Sequence, residues 1–132
     1  MKFIERRTLL MASALTFALS PAVAASVFSG IDTDSDSTID LNEAKAAASS
    51  VFDKLDANHD GALDRAELRG RVPGQDWAIA DPDNDKTLTK DEYLNYVEIA
   101  FKRADKDGDG TVDEKEARTH AGRLMMRLLR VR

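Results

Sequence analysis

Eighteen carboxylates of this chain stand at repeating positions of four twelve-residue segments, mostly at alternate places and closed in each case by a glutamate. The first segment holds Asp32, Asp34, Asp36, Asp40 and Glu43; the second holds Asp56, Asp60, Asp64 and Glu67, with the neutral Asn58 in step. The third holds Asp81, Asp83, Asp85 and Glu92, and the fourth Asp105, Asp107, Asp109, Asp113 and Glu116. Side-chain oxygens at positions 1, 3 and 5, a backbone carbonyl at 7, a contact at 9 and a two-oxygen glutamate at 12 enclose a hard cation. Position 7 is Thr38, Ala62, Thr87 and Thr111 in turn, and position 9 is Asp in every segment but the third, where Thr89 stands. One such match arises by chance; four in tandem point to cation binding. The chain has no cysteine and no histidine paired with an acid, and its acids are committed to metal, so a binding protein and not an enzyme is expected. His59, at position 4 of the second segment, and His120, in the tail, read as solvent-exposed and not as ligands.

The pattern is that of the EF-hand metal loop, and the four copies are unequal. Position 6 needs a positive φ, which glycine adopts freely and other residues adopt at a cost of about 1 kcal/mol or more. Gly61 and Gly110 meet that need, whereas Ser37 and Lys86 occupy the position in loops one and three. Loops one and four each offer five carboxylates and loops two and three four. Loop four, with five acids and its glycine, ranks as the best site, and loop three, with Lys86 and Thr89, as the weakest.

The loops start at residues 32, 56, 81 and 105, which leaves connectors of 12, 13 and 12 residues. Twelve residues make one helix of about 18 Å, not the two helices that separate familiar paired loops. Residues 44–55 are therefore expected to leave loop one and enter loop two as a single helix burying Val51, Phe52 and Leu55. Residues 93–104 should do the same between loops three and four, with Leu94, Val97, Phe101 and Ala104 on one stripe. Gly70, Pro73 and Gly74 break the middle connector, and a short second helix opens there and runs through Trp77. A continuous helix sends its two loops to opposite ends and a broken one returns the chain, so loop two should lie beside loop three and loop one beside loop four. The position-8 residues Ile39, Leu63, Leu88 and Val112 are all apolar, as short strand pairs between neighbouring loops require. The expected fold is all-α: a compact helical bundle carrying four EF-hand loops on short shared helices, the loops paired two with three and one with four. The basic amphipathic stretch 123–130 is expected to close that bundle, with its arginines near the acidic loops.

Residues 1–24 read as a secretory signal peptide: Lys2, Arg6 and Arg7, an uncharged run from Thr8 to Ser20, then Ala22-Val23-Ala24 as a small-residue cleavage site. The run of 13 residues falls short of the roughly 20 that span a bilayer as a helix. Residues 25–132 would then form a single four-loop domain in the periplasm. Without Lys2, Arg6, Arg7 and Glu5, the 19 basic and 24 acidic side chains become 16 and 23, a net charge of −7. Such acidity repels nucleic acid. Of the 23 acids, only Asp53, Asp76, Asp91, Glu98 and Glu114 lie outside the ligand positions. With few aromatics and no disulfide, the metal should supply much of the folding free energy.

The short connectors, the extra acids, the exported leader and the phrases VFDKLD, DPDND and KDEYL together resemble the lanmodulin family of periplasmic lanthanide-binding proteins. The resemblance spans the whole region after the leader. It implies a three-helix core, preference for lanthanide(III) ions over Ca2+, and a protein partner in lanthanide handling for lanthanide-dependent alcohol dehydrogenases. That family often carries proline at loop position 2; here only Pro82 does, with Thr33, Ala57 and Lys106 at the others. The leading expectation is an exported carrier or buffer, monomeric or dimeric with metal, that binds lanthanides and more weakly calcium and folds as it binds. The alternatives are a calcium-binding EF-hand buffer and a calcium-triggered interaction protein.

Overall fold

A computed structural model describes residues 26–131, so the leader expected at 1–24 lies outside the described residues. Two fifteen-residue helices, α1 (Leu41–Leu55) and α4 (Lys90–Ala104), form the frame. Each starts at the end of one loop and runs into the start of the next, as the connector lengths require. Between them come α2 (Arg65–Leu68), a 3-10 turn at Gly74–Asp76 and α3 (Trp77–Ala80). After loop four come α5 (Glu114–Ala117) and α6 (His120–Leu128). Helix α4 packs against both α1 and α6, so these three make the core. No helix of the described residues is long and apolar enough to cross a membrane.

Four two-residue strands tie the loops in pairs. β1 (Ile39–Asp40) lies antiparallel to β4 (Thr111–Val112), and β2 (Ala62–Leu63) to β3 (Leu88–Thr89). Ile39 faces Val112 and Leu63 faces Leu88, and all four are fully buried. The pairing of one with four and two with three follows from the break at Gly70–Gly74. Gly70 takes φ +73°, and Arg69 before it closes α2 in the left-handed region at φ +49°.

Helix α1 buries Val51, Phe52 and Leu55 as expected, together with Ala44 and Ala48. The stripe of α4 is wider than the expected one: Val97, Phe101 and Ala104 are buried as expected, Tyr93, Tyr96 and Ala100 join them, and Leu94 packs half-buried against the core. Two buried tyrosines are tolerated because each hydroxyl finds a remote acceptor. Tyr93 donates to the carbonyl of Leu128 at 2.6 Å, and Tyr96 to the carboxylate of Asp76 at 2.7 Å. Burial pushes both phenols well above their usual pKa, and for Tyr96 the bond to Asp76 adds to it. Across the outer face, Glu98 joins Lys45 of α1 at 2.7 Å and Lys102 at 2.9 Å. The hydrogen bonds from these two ammonium groups hold the Glu98 carboxyl down at about 2.

Helix α6 does close the bundle, laying Met125, Met126 and Leu128 into the core. Arg123 donates to the carbonyl of Arg118, and Arg130, just past the helix, to that of Val27. Among the described residues, none of these arginines forms an ion pair with a loop carboxylate. Trp77 is half-buried against the core, with the Arg65 guanidinium 4.4 Å from its ring centre.

Candidate metal centre

The same hydrogen-bond ladder folds all four loops. The position-1 aspartate accepts backbone N–H groups with both oxygens: Asp32 from Ser35 (2.7 Å) and Ser37 (3.0 Å), Asp105 from Gly108 (2.9 Å) and Gly110 (3.0 Å). Asp56 holds Gly61 and Asp81 holds Lys86 in the same way, at 3.0 and 2.9 Å. The position-3 side chains Asp34, Asn58, Asp83 and Asp107 each accept the N–H of position 5 with one oxygen. Asp36, Asp60, Asp85 and Asp109 accept the N–H of position 7. Where position 7 is Thr38, Thr87 or Thr111, its hydroxyl donates to the same aspartate; Ala62 cannot. Each ladder leaves side-chain oxygens converging on one point. Ligand atoms of Asp32, Asp34 and Asp36 lie within 4.8 Å of one another, as do those of Asp81, Asp83 and Asp85. Closing glutamates join the other two sets, Asp56, Asp60 and Glu67, and Asp105, Asp107 and Glu116.

Position 9 has a job that the spacing argument passes over. Asp40, Asp64, Thr89 and Asp113 are the N-caps of the helices leaving the loops, and each accepts the N–H of its glutamate at position 12. The glutamate in turn accepts the N–H of position 9, at 3.0 Å for Glu43, 3.2 Å for Glu67, 2.8 Å for Glu92 and 3.1 Å for Glu116. This reciprocal capping box satisfies two helix-start donors at once and fixes one glutamate oxygen. The signal was legible as Asp-x-x-Glu or Thr-x-x-Glu at the end of every loop.

The second glutamate oxygen separates the loops. In loop one, Glu43 Oε1 accepts the backbone N–H of Thr33 at 2.7 Å and its hydroxyl at 3.0 Å. In loop four, Glu116 Oε1 accepts the N–H of Lys106 at 2.9 Å and of Asp107 at 3.3 Å. Glu43 and Glu116 are buried in consequence, whereas Glu67 and Glu92 are half-exposed. Pro82 has no N–H to give Glu92.

Charge crowds at position 3. The N–H of Asp36 stabilises the Asp34 carboxylate, yet desolvation and the neighbouring charges of Asp36 and Glu43 hold it above the usual range. Asp107 is raised in the same manner, with Asp109 and Glu116 as its crowding neighbours against the Asp109 N–H. Asp83 is raised chiefly by its hydrogen bond with Asp81. Position 5 runs the other way: the Thr38 hydroxyl lowers Asp36, and the Thr111 N–H lowers Asp109. A cation placed among these oxygens relieves the repulsion stored at position 3.

Left-handed backbone occurs at two places per loop, not one. Position 6 takes φ +69° at Ser37, +82° at Gly61, +70° at Lys86 and +87° at Gly110. Position 4 is left-handed too, at Ser35, His59, Asn84 and Gly108, so loop four alone has glycine at both. His59 and His120 are exposed. Replacing Lys86 by glycine removes both the left-handed penalty and a positive charge from loop three. The expected result is a several-fold gain in metal affinity there, about 1 kcal/mol, checked by isothermal titration against the parent protein. An unchanged affinity would show that position 6 does not limit this loop.

The family model described as EF hand matches residues 48–72 and 97–118, which contain loops two and four. Those are the loops with glycine at position 6, while Ser37 and Lys86 depart from it in the other two. Comparison with curated proteins gave no match. The two matches and the acidic clusters together support a metal-binding EF-hand protein, with Ca2+ or a similar ion as ligand.

Proposed function

We propose that this chain is an exported, non-catalytic carrier or buffer that takes trivalent lanthanide ions in preference to calcium. The observation that carries the reading is the build of loops one and four, which are paired with each other and have five carboxylates each. Their glutamates are drawn onto the loop backbone, and their position-3 acids sit above the normal range through crowding. Attraction scales with the product of charges, so a 3+ ion relieves more of this repulsion than a 2+ ion of similar size. Export rests on the leader-like residues Lys2 to Ala24, and metal-coupled folding on the acids concentrated at the ends of a small core. A calcium buffer is the second reading, favoured by loops two and four, whose segments match the general EF-hand pattern.

Competition separates the two. The protein is loaded with terbium, calcium is added in large excess, and retained terbium is counted while circular dichroism follows helicity. Two or more ions should stay bound, and helicity should rise on loading. Ready displacement from every loop would leave a calcium-binding protein, and superimposable spectra with and without metal would remove the coupling to folding.

A further inference from the structure

Away from the loops, positive charge gathers at one concave place. A recess of about 260 Å3 opens where the 3-10 turn, the end of α4 and one face of α6 meet. Gln75, Asp76, Arg103, His120, Arg123 and Arg127 line it. Asp76 is already committed, accepting the Tyr96 hydroxyl at 2.7 Å and Arg103 Nη1 at 2.9 Å, so it and Arg103 offset one another. Arg123 spends one nitrogen on the carbonyl of Arg118, at 2.7 Å. Among the described residues, neither Arg127 nor His120 has an ion pair or a side-chain hydrogen bond. The recess brings three guanidinium groups and an imidazole from α4 and α6 to one place, all on exposed residues. Guanidinium forks match the paired oxygens of carboxylate and phosphate groups, and the Gln75 amide adds a neutral donor.

We propose that this recess binds a small doubly charged oxyanion, a dicarboxylate or a phosphate-like group. Arg123 and Arg127 grip its oxygens, and His120 and Gln75 complete the donor set. The site is independent of the metal loops and of whichever ion they prefer. Its volume suits a small molecule and is too small for a folded partner.

Sulfate and succinate are suitable probes, because both associate only weakly with calcium. The calcium-loaded chain is titrated with each and followed by nuclear magnetic resonance of Gln75, His120 and the arginine Nε groups, with chloride at matched ionic strength as reference. Saturable shifts with half-saturation of roughly 1–10 mM are expected. The variant Arg127→Gln, which removes no hydrogen bond among the described residues, should weaken binding several-fold. The double variant Arg123→Gln/Arg127→Gln should weaken it at least about tenfold. A charge-matched control, Lys54→Gln/Arg69→Gln, should bind as the parent does. Equal binding by parent and double variant, equal loss in the control, or no saturation up to roughly 50 mM would overturn the proposal. So would capture by anionic lipid vesicles without binding of either free anion.

Discussion

Glutamine in place of Glu116 is expected to weaken metal binding at loop four by about ten- to a hundredfold, while glutamine in place of Glu92 costs loop three distinctly less. Glu116 is buried, and both of its oxygens are organised: Oε2 by Asp113 N–H, Oε1 by the N–H groups of Lys106 and Asp107. An oxygen of this carboxylate also belongs to the cluster with Asp105 and Asp107. Glutamine removes the charge and turns one acceptor into a donor facing N–H donors. Hydrogen bonds to charged groups contribute about 1.5–3 kcal/mol, which converts to the stated range. Glu92 is half-exposed and takes the Thr89 N–H and hydroxyl with a single oxygen, Oε2. Its loop clusters Asp81, Asp83 and Asp85 without it. Titration of both variants with terbium decides the matter; equal losses would mean that burial of the glutamate does not set its worth.

Local spacing carried most of the fold. A connector of twelve residues between loops has room for one helix only, so α1 and α4 were legible, and the broken middle connector forced the loop pairing seen in Ile39–Val112 and Leu63–Leu88. The ligand positions were legible too, because the motif is a fixed-offset pattern. What escaped was detail set by individual side-chain partners far apart in sequence. The core face of α4 also takes in Tyr93 and Tyr96, whose hydroxyl partners lie 35 and 20 residues away and could not be read from the helix's own spacing. The difference between glutamates likewise depends on whether the position-2 N–H, ten residues earlier, turns toward Oε1.

Alanine in place of Gly122 is expected to destabilise the protein by about 1–3 kcal/mol or more and to weaken loop four while sparing loops two and three. Gly122 sits in the first turn of α6 with ordinary helical backbone, so conformational freedom does not explain it. Close approach does. A Cβ built there would lie 2.5 Å from Ala117 Cα and 2.6 Å from Ala117 C, and closer still to the carbonyl oxygen of Glu116. All three are backbone atoms, and no side chain can swing aside to make room. That Glu116 carbonyl also accepts the Thr119 N–H at 3.0 Å and its hydroxyl at 2.7 Å, and the Thr119 hydroxyl in turn caps α6 through the Gly122 N–H at 3.0 Å. The turn from α5 into α6 is therefore wound around the main chain of the residue whose side chain closes loop four. Forcing α6 outward must shift Glu116, lift Tyr93 from the Leu128 carbonyl, or both. Thermal unfolding and loop-resolved terbium titration of Gly122→Ala test this together. A variant with the parent's melting temperature would show that the contact relaxes freely. An unstable variant with loop four intact would show that α6 packs on the bundle without positioning the ligand.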